Sequence, residues 1–154
     1  MAVDVAAAEA ALDELVKLVQ EAAFNATLDS AQEVKDQTQL LLSFEWHAPF
    51  TKTPSPPGSP PASISGELAA SVLVTDDGES AFVGPTTDYG RIQELGGFMQ
   101  GHPMMHWQEP PGVWHHSRGH SLPERPYLKP ALEESLPKIE DIFTNAVAKA
   151  IEEV

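Results

Sequence analysis

Ser121-Leu122-Pro123-Glu124-Arg125-Pro126-Tyr127-Leu128-Lys129-Pro130-Ala131-Leu132-Glu133-Glu134 reads as a stiff, extended segment that runs straight into a helix. Its three prolines hold φ near about −65° and push the residue before each of them towards extended geometry. Pro130 suits the first turn of a helix, where its missing N–H costs nothing, and Glu133 and Glu134 suit the positive end of that helix. The segment contains no nucleophile, phosphate loop or ligand cage. It reads as architecture, and it points to an assembly part rather than an enzyme.

The helix it enters spans roughly 129–152, with Leu132, Leu136, Ile139, Ile142, Phe143, Val147 and Ile151 on one face. Pro137 lies inside this pattern and should kink the helix or mark its true start. At the other end of the chain, Val3 to Trp46 also reads as helix. Val5, Ala8, Leu12, Leu15, Val19 and Ala22, then Val34, Thr38, Leu41 and Leu42, recur at three- and four-residue steps. Asn25, Thr27, Asp29 and Ser30 compete for caps and turns, so this region is either one continuous helix or two helices with a break there.

Between the helices, residues 48–63 carry six prolines and one glycine, which allows neither helix nor central strand. They form a linker or an arm lying on a partner. Ser65 to Ser71 then gives a short helical turn. Val72 to Thr75 and Ser80 to Gly84 read as the strands of a hairpin turned by Asp76-Asp77-Gly78-Glu79. Thr87 or Asp88 can cap a middle helix through Tyr89, Ile92 and Leu95, stopped by Gly96 and Gly97. A second hairpin with a long excursion is expected from Phe98–Gln100 and Val113–His115. The reading is a single domain over 1–154. It has an N-terminal helical region at 1–47, a proline-rich loop at 48–63, a sheet with the middle helix and a histidine-rich insert at 64–128, and a C-terminal helix at 129–154. The fold class is α+β, a small antiparallel sheet of two hairpins packed with helices.

The chain has 154 residues, enough to bury a core without staples, and no cysteine, which excludes disulfides and thiolate metal sites. Its formal net charge of −14 disfavours binding to free nucleic acid or anionic membranes. Such a protein can still border a DNA path without sticking to it. No targeting signal or membrane-length apolar run is evident.

Five of the six histidines, His102, His106, His115, His116 and His120, cluster within the insert. His102/His106 and His116/His120 have the i, i+4 spacing that binds zinc or nickel on a helix, but Pro103, Pro110, Pro111 and Gly119 argue against a sustained helix there. These histidines are the metal-ligand candidates for an alternative reading as a metal-binding module or metal-dependent enzyme. A Gly-x-Ser-x-Gly elbow and a phosphate-binding Gly-x-x-x-x-Gly-Lys-Ser/Thr are both absent, so no catalytic residue and no cofactor is assigned. Trp107, Trp114, Met99, Met104 and Met105 favour a protein interface.

Three landmarks and a variable insert stand in order: Pro56-Pro57-Gly58-Ser59-Pro60-Pro61 leading to Ser65-Gly66-Glu67-Leu68-Ala69-Ala70-Ser71; Val83-Gly84 followed by Asp88-Tyr89-Gly90-Arg91-Ile92-Gln93-Glu94-Leu95-Gly96-Gly97; the insert; and Pro123-Glu124-Arg125-Pro126-Tyr127-Leu128-Lys129-Pro130-Ala131-Leu132. This order resembles the tailed-bacteriophage morphogenesis proteins of the head-tail joint, called minor tail component, neck, tail-completion or tail-terminator proteins. In that family a Thr/Ser-Gly-x-Leu-x-x-Ser turn precedes a strand, a Tyr-Ala/Gly-x-x-x-Glu-x-Gly helix follows, and a Pro-x-Arg-Pro-Phe/Tyr-Leu segment enters the last helix. The long histidine-rich insert departs from the pattern, as does Ser65 where Thr is common.

The resemblance implies a virion protein, made in the host cytoplasm, that forms a homo-oligomeric ring, typically a hexamer. The ring would end tail-tube growth and contact head-completion or connector proteins and the tail-tube protein. DNA would pass through its lumen without specific binding, and no membrane would be involved. Carried over residue by residue, Gly66, Leu68 and Ser71 set the turn and strand; Tyr89, Glu94 and Gly96 form and stop the middle helix. Arg125, Pro126, Tyr127 and Leu128 fix the approach to the last helix. From the residues themselves, Tyr89 and Leu95 suit a packed face. Arg125, one of three arginines, should pair with a carboxylate within the subunit or across a ring contact. A third reading is an adaptor whose proline-rich arm binds an aromatic-lined groove.

Overall fold

The computed structural model describes residues 5–49, 51, 53–100, 106–109, 113–116 and 119–152. Helix α1 (Val5–Leu41) leads into α2 (Glu67–Ala70) and the strands β1 (Val72–Asp76) and β2 (Ala81–Pro85). After them come α3 (Gly90–Leu95), β3 (Gly97–Met99), β4 (His106–Glu109), β5 (Val113–His116), β6 (His120–Leu122) and α4 (Leu128–Glu152). The class is α+β, with helices packed against small antiparallel ladders.

Helix α1 is continuous through the stretch where a break was possible. The competing hydroxyls turn back onto their own helix. Thr27 Oγ1 donates to the Ala23 carbonyl at 2.9 Å, and Ser30 Oγ donates to that of Ala26 at 2.6 Å. Regular structure ends at Leu41 rather than Trp46, where Ser43 donates its N–H to Leu40 and its hydroxyl to Gln39.

Helix α4 packs antiparallel along α1. Lys138 Nζ meets Glu33 at 2.6 Å, and Gln37 meets Glu134. Both contacts are exposed and contribute little. Small residues bring the helices together: Ala26, Ser30, Ala31, Val34 and Thr38 on α1, and Ala131, Ser135 and Ala150 on α4, are buried. Thr38 and Ser135 return their hydroxyls to the i−4 carbonyls of Val34 and Ala131, so the seam buries no unpaired polar group at either position.

This corrects part of the expected face of α4. Leu132, Leu136 and Ile151 are 46%, 50% and 57% exposed beside the buried Ala131, Ser135 and Ala150, while Ile139, Ile142, Phe143 and Val147 are half-buried. Only short side chains allow the two backbones to approach closely, so the packed face is not the most hydrophobic one. Pro137 falls inside α4 rather than at its start.

The β1–β2 hairpin forms as expected, with Val74 opposite Val83. In its turn, Asp77 Oδ1 accepts the N–H groups of Ser80 (2.7 Å) and Glu79 (3.0 Å), and these bonds hold its carboxyl below the usual range. Val72, fully buried, joins Leu42 and Tyr127 in the core, with Leu68, Ala69, Val83 and Leu128 packed around them. The expected second hairpin is instead two ladders. β3 pairs with β6, Phe98 opposite Ser121, while β5 pairs with β4. The insert therefore pairs with itself through β4 and β5, and the chain returns to β3 through β6.

The proline-rich loop is fastened to its own chain. Trp46 bridges to Ser63, and the Gly58 N–H donates to the Glu124 carbonyl at 2.9 Å.

Candidate functional site

The second and third landmarks meet around one carboxylate. Glu94 Oε2 accepts the N–H groups of Tyr127 (2.7 Å) and Leu128 (2.9 Å), and Oε1 accepts that of Lys129 (3.1 Å). These are donors that the first turn of α4 cannot satisfy by itself. Glu94 thus caps α4 from a different element, and its charge sits at the positive end of that helix. Tyr127, fully buried, donates its hydroxyl to the Gly90 carbonyl at 3.0 Å. The Arg125 N–H donates to the Gln93 carbonyl at 2.7 Å. Backbone and side chain together lock the extended segment onto α3.

Replacing Glu94 by alanine should cost about 2–4 kcal/mol, because several helix-terminal donors lose a charged acceptor at once. Glutamine, which keeps an acceptor oxygen, should cost about 1 kcal/mol. Urea denaturation checks this, and equal losses in the two variants would show that the cap is not what matters.

Burial, then the charge of Glu94 and the nearby Tyr89, push the Tyr127 hydroxyl far above its ordinary 10.0. The unfolded chain therefore releases this proton first. The stability contribution is full below pH 10 and is lost as pH rises beyond it. In Tyr127→Phe the alkaline decline should be shallower than in the native chain, as read from denaturant midpoints across that range.

The first landmark acts at the hairpin base. Gly66 takes φ 77° ahead of α2, Leu68 packs on the core, and Ser71 donates its hydroxyl to the Leu68 carbonyl while its own carbonyl accepts the Thr86 N–H. Gly96 ends α3 at φ 63°. Tyr89 and Leu95 are 41% and 63% exposed, not packed. A helix of under two turns has one narrow buried side, and here Gly90 occupies it. Among the described residues Arg125 pairs not with a carboxylate but with the Ser55 carbonyl, through Nε–H at 2.8 Å. Pro126 and Leu128 are half-buried beside it.

Sequence reasoning missed Gly90 and Ser55. A Cβ at Gly90 would collide with the Pro85 ring and lie 3.1 Å from the Tyr127 hydroxyl. The hint was the small residue, Ala or Gly, that the family pattern has at this position. Ser55, buried in the proline-rich loop, accepts the Ala62 N–H through Oγ at 2.7 Å.

Two apolar surfaces remain open. Ala31, Val34, Ala81, Val83, Leu128, Leu132 and Ile139 line a groove of 540 Å³ between α1, β2 and α4. On α1, Val5, Ala8, Leu12, Leu15, Val19, Ala22 and Ala26 occupy successive a and d positions of heptads. Around Ala22 and Ala26 this seam meets Ala146 and Ala150 of α4. Further towards the start of α1, Val5, Leu12 and Val16 are 64%, 61% and 52% exposed. Asp13, Glu14, Lys17 and Glu21 lie off the seam.

Of the metal candidates, His102 lies outside the described residues. For His106, His115 and His116 only the backbone is described, with His106 opposite His116 in the β4–β5 ladder. His120 is exposed in β6, opposite Met99. Met104 and Met105 also fall outside the described residues, as do the side chains of Trp107 and Trp114. Among the described residues there is no group of three or more potential ligands, and no helix is long and apolar enough to cross a membrane.

No family model, curated protein or solved structure matches this chain.

Proposed function

We propose that this chain is a structural subunit that self-assembles into a ring at the head-tail junction of a tailed bacteriophage, ending tail-tube growth and joining tail to capsid. The observation that carries self-assembly is the half-filled seam of α1. One a/d stripe is covered by α4 over part of its length and continues, still apolar, where α4 does not cover it. A second copy supplies a stripe of matching spacing. In a chain of net charge −14, the acidic residues at sequence positions flanking this seam are Asp4 and Glu9, both at its start, so like charge is absent along the rest of it. A ring that buries the seam leaves Asp13, Glu14 and Glu21 free to face the DNA path. The junction assignment rests on the ordered landmarks. The convergence of the second and third on Glu94 supports it, because a repeated subunit must aim α4 identically in every copy.

Sedimentation analysis of the purified chain should show a closed oligomer, with six copies expected. Leu12→Glu combined with Val16→Glu should reduce it to monomer without changing its thermal midpoint appreciably, since both side chains are exposed in the single chain. A wild-type monomer at all concentrations would overturn the ring. Tails assembled without the protein should be of abnormal length or fail to join heads; normal infectious particles would sink the junction role.

A further inference from the structure

Arg125 is 7% exposed, and its side chain spends one of its five N–H donors on the Ser55 carbonyl. Among the described residues no acceptor meets the terminal nitrogens of the guanidinium. Those nitrogens are not sealed inside the protein, since among the described residues Thr87 Oγ1 alone is a buried side-chain polar atom without a partner, so the free edge of the guanidinium is open to an anion. Arg125 lines a cavity of 310 Å³ together with His47, Thr51, Thr53, Ser55 and Gln93. Among the described residues no carboxylate lines that cavity, although Glu45 contacts its His47 at 3.2 Å. The wall is a proline-stiffened loop fastened at Gly58 to Glu124, so the cavity is formed before any ligand arrives.

We propose that this cavity is a carboxylate-binding pocket. The free edge of the Arg125 guanidinium takes both carboxylate oxygens in the parallel geometry that its planar fork provides, and Thr53 and Gln93 supply polar walls. The carboxylate comes either from an Asp or Glu side chain of a second copy or from a free small carboxylic acid. Only the first source rests on the ring reading.

The test is nuclear magnetic resonance of the dilute, monomeric full chain labelled with nitrogen-15, titrated with acetate and, separately, with inorganic phosphate and chloride. Acetate should shift the Arg125 Nε–H and the Thr53 and Ser55 amides saturably. Arg125→Lys should weaken acetate binding about tenfold, because a point charge cannot reproduce the fork. Since Arg125→Lys also loses the bond to Ser55 and could unfold, Thr53→Val is the second variant; it leaves that bond intact and should weaken binding about threefold. No saturable shift, an equal response to chloride, or tighter binding of phosphate than of acetate would overturn the proposal. Sizing the concentrated protein in acetate against equal chloride separates the sources. Dissociation by acetate assigns the carboxylate to a second copy. Saturable binding with unchanged size assigns it to a free acid, and leaves the pocket standing whether or not a ring forms.

Discussion

Gly96→Ala is expected to lower the stability of the folded chain by about 3 kcal/mol or more. Gly96 sits at φ 63° and ψ −170°, a region essentially reserved for glycine. An added Cβ would lie 2.8 Å from the Glu124 nitrogen and 2.9 Å from the Leu122 oxygen. Both are backbone atoms and neither can retreat cheaply, because Leu122 is paired with Gly97 in the β3–β6 ladder and Glu124 is tied to Gly58. Gly84→Ala is the control. A Cβ there meets nothing within 4 Å, and the change should fall within about 0.5 kcal/mol of the native chain. Urea midpoints measure both, and similar losses would refute the close approach at Gly96.

Tyr127→Ala should cost about 3–5 kcal/mol, the range for removing a large buried ring. Tyr127 is fully buried against Leu42 and Val72, so its loss opens a cavity at the point where α1, the hairpin and the approach to α4 meet. Tyr127→Phe keeps the ring and removes only the bond to the Gly90 carbonyl, for a loss of about 1 kcal/mol. Denaturant unfolding of the pair separates packing from hydrogen bonding. An alanine variant no weaker than the phenylalanine one would place the core elsewhere.

What was legible in the sequence was whatever local chemistry decides. Asp77 and Gly78 turned the β1–β2 hairpin, Gly96 stopped α3, and Pro130 fell in the first turn of α4. The packed faces were less legible. Hydrophobic periodicity selected Leu132 and Leu136 on α4 and Tyr89 and Leu95 around α3, whereas the structure buries Ala131, Ser135 and Gly90. The reason is the same in each case. Contact distance here is set by small residues, which a hydrophobicity pattern weighs lightly. The apolar residues left outside are the surface that the proposed assembly would cover. Glu94 was placed correctly as part of the middle helix, but its service to α4 was not readable. A cap supplied from a distant element leaves no local signature. Arg125 was expected to find a carboxylate within the subunit or across a ring contact; among the described residues of the subunit it finds a carbonyl instead, because the proline-rich loop folds back onto its own chain.

The α1–α4 pairing carries a kinetic consequence. The largest helix–helix contact joins segments separated by the whole β region, and α4 receives its cap only once α3 has formed and the extended segment has docked. Closing so long a loop costs entropy before any contact between the two helices returns it. The hairpin, whose turn is local, can form early, while α1 waits with its small-residue face uncovered. Folding should therefore be governed by the docking of α4. In the proposed ring, a chain caught before that step would present its open seam to other copies in the wrong order, so correct assembly would depend on the subunit closing on itself first.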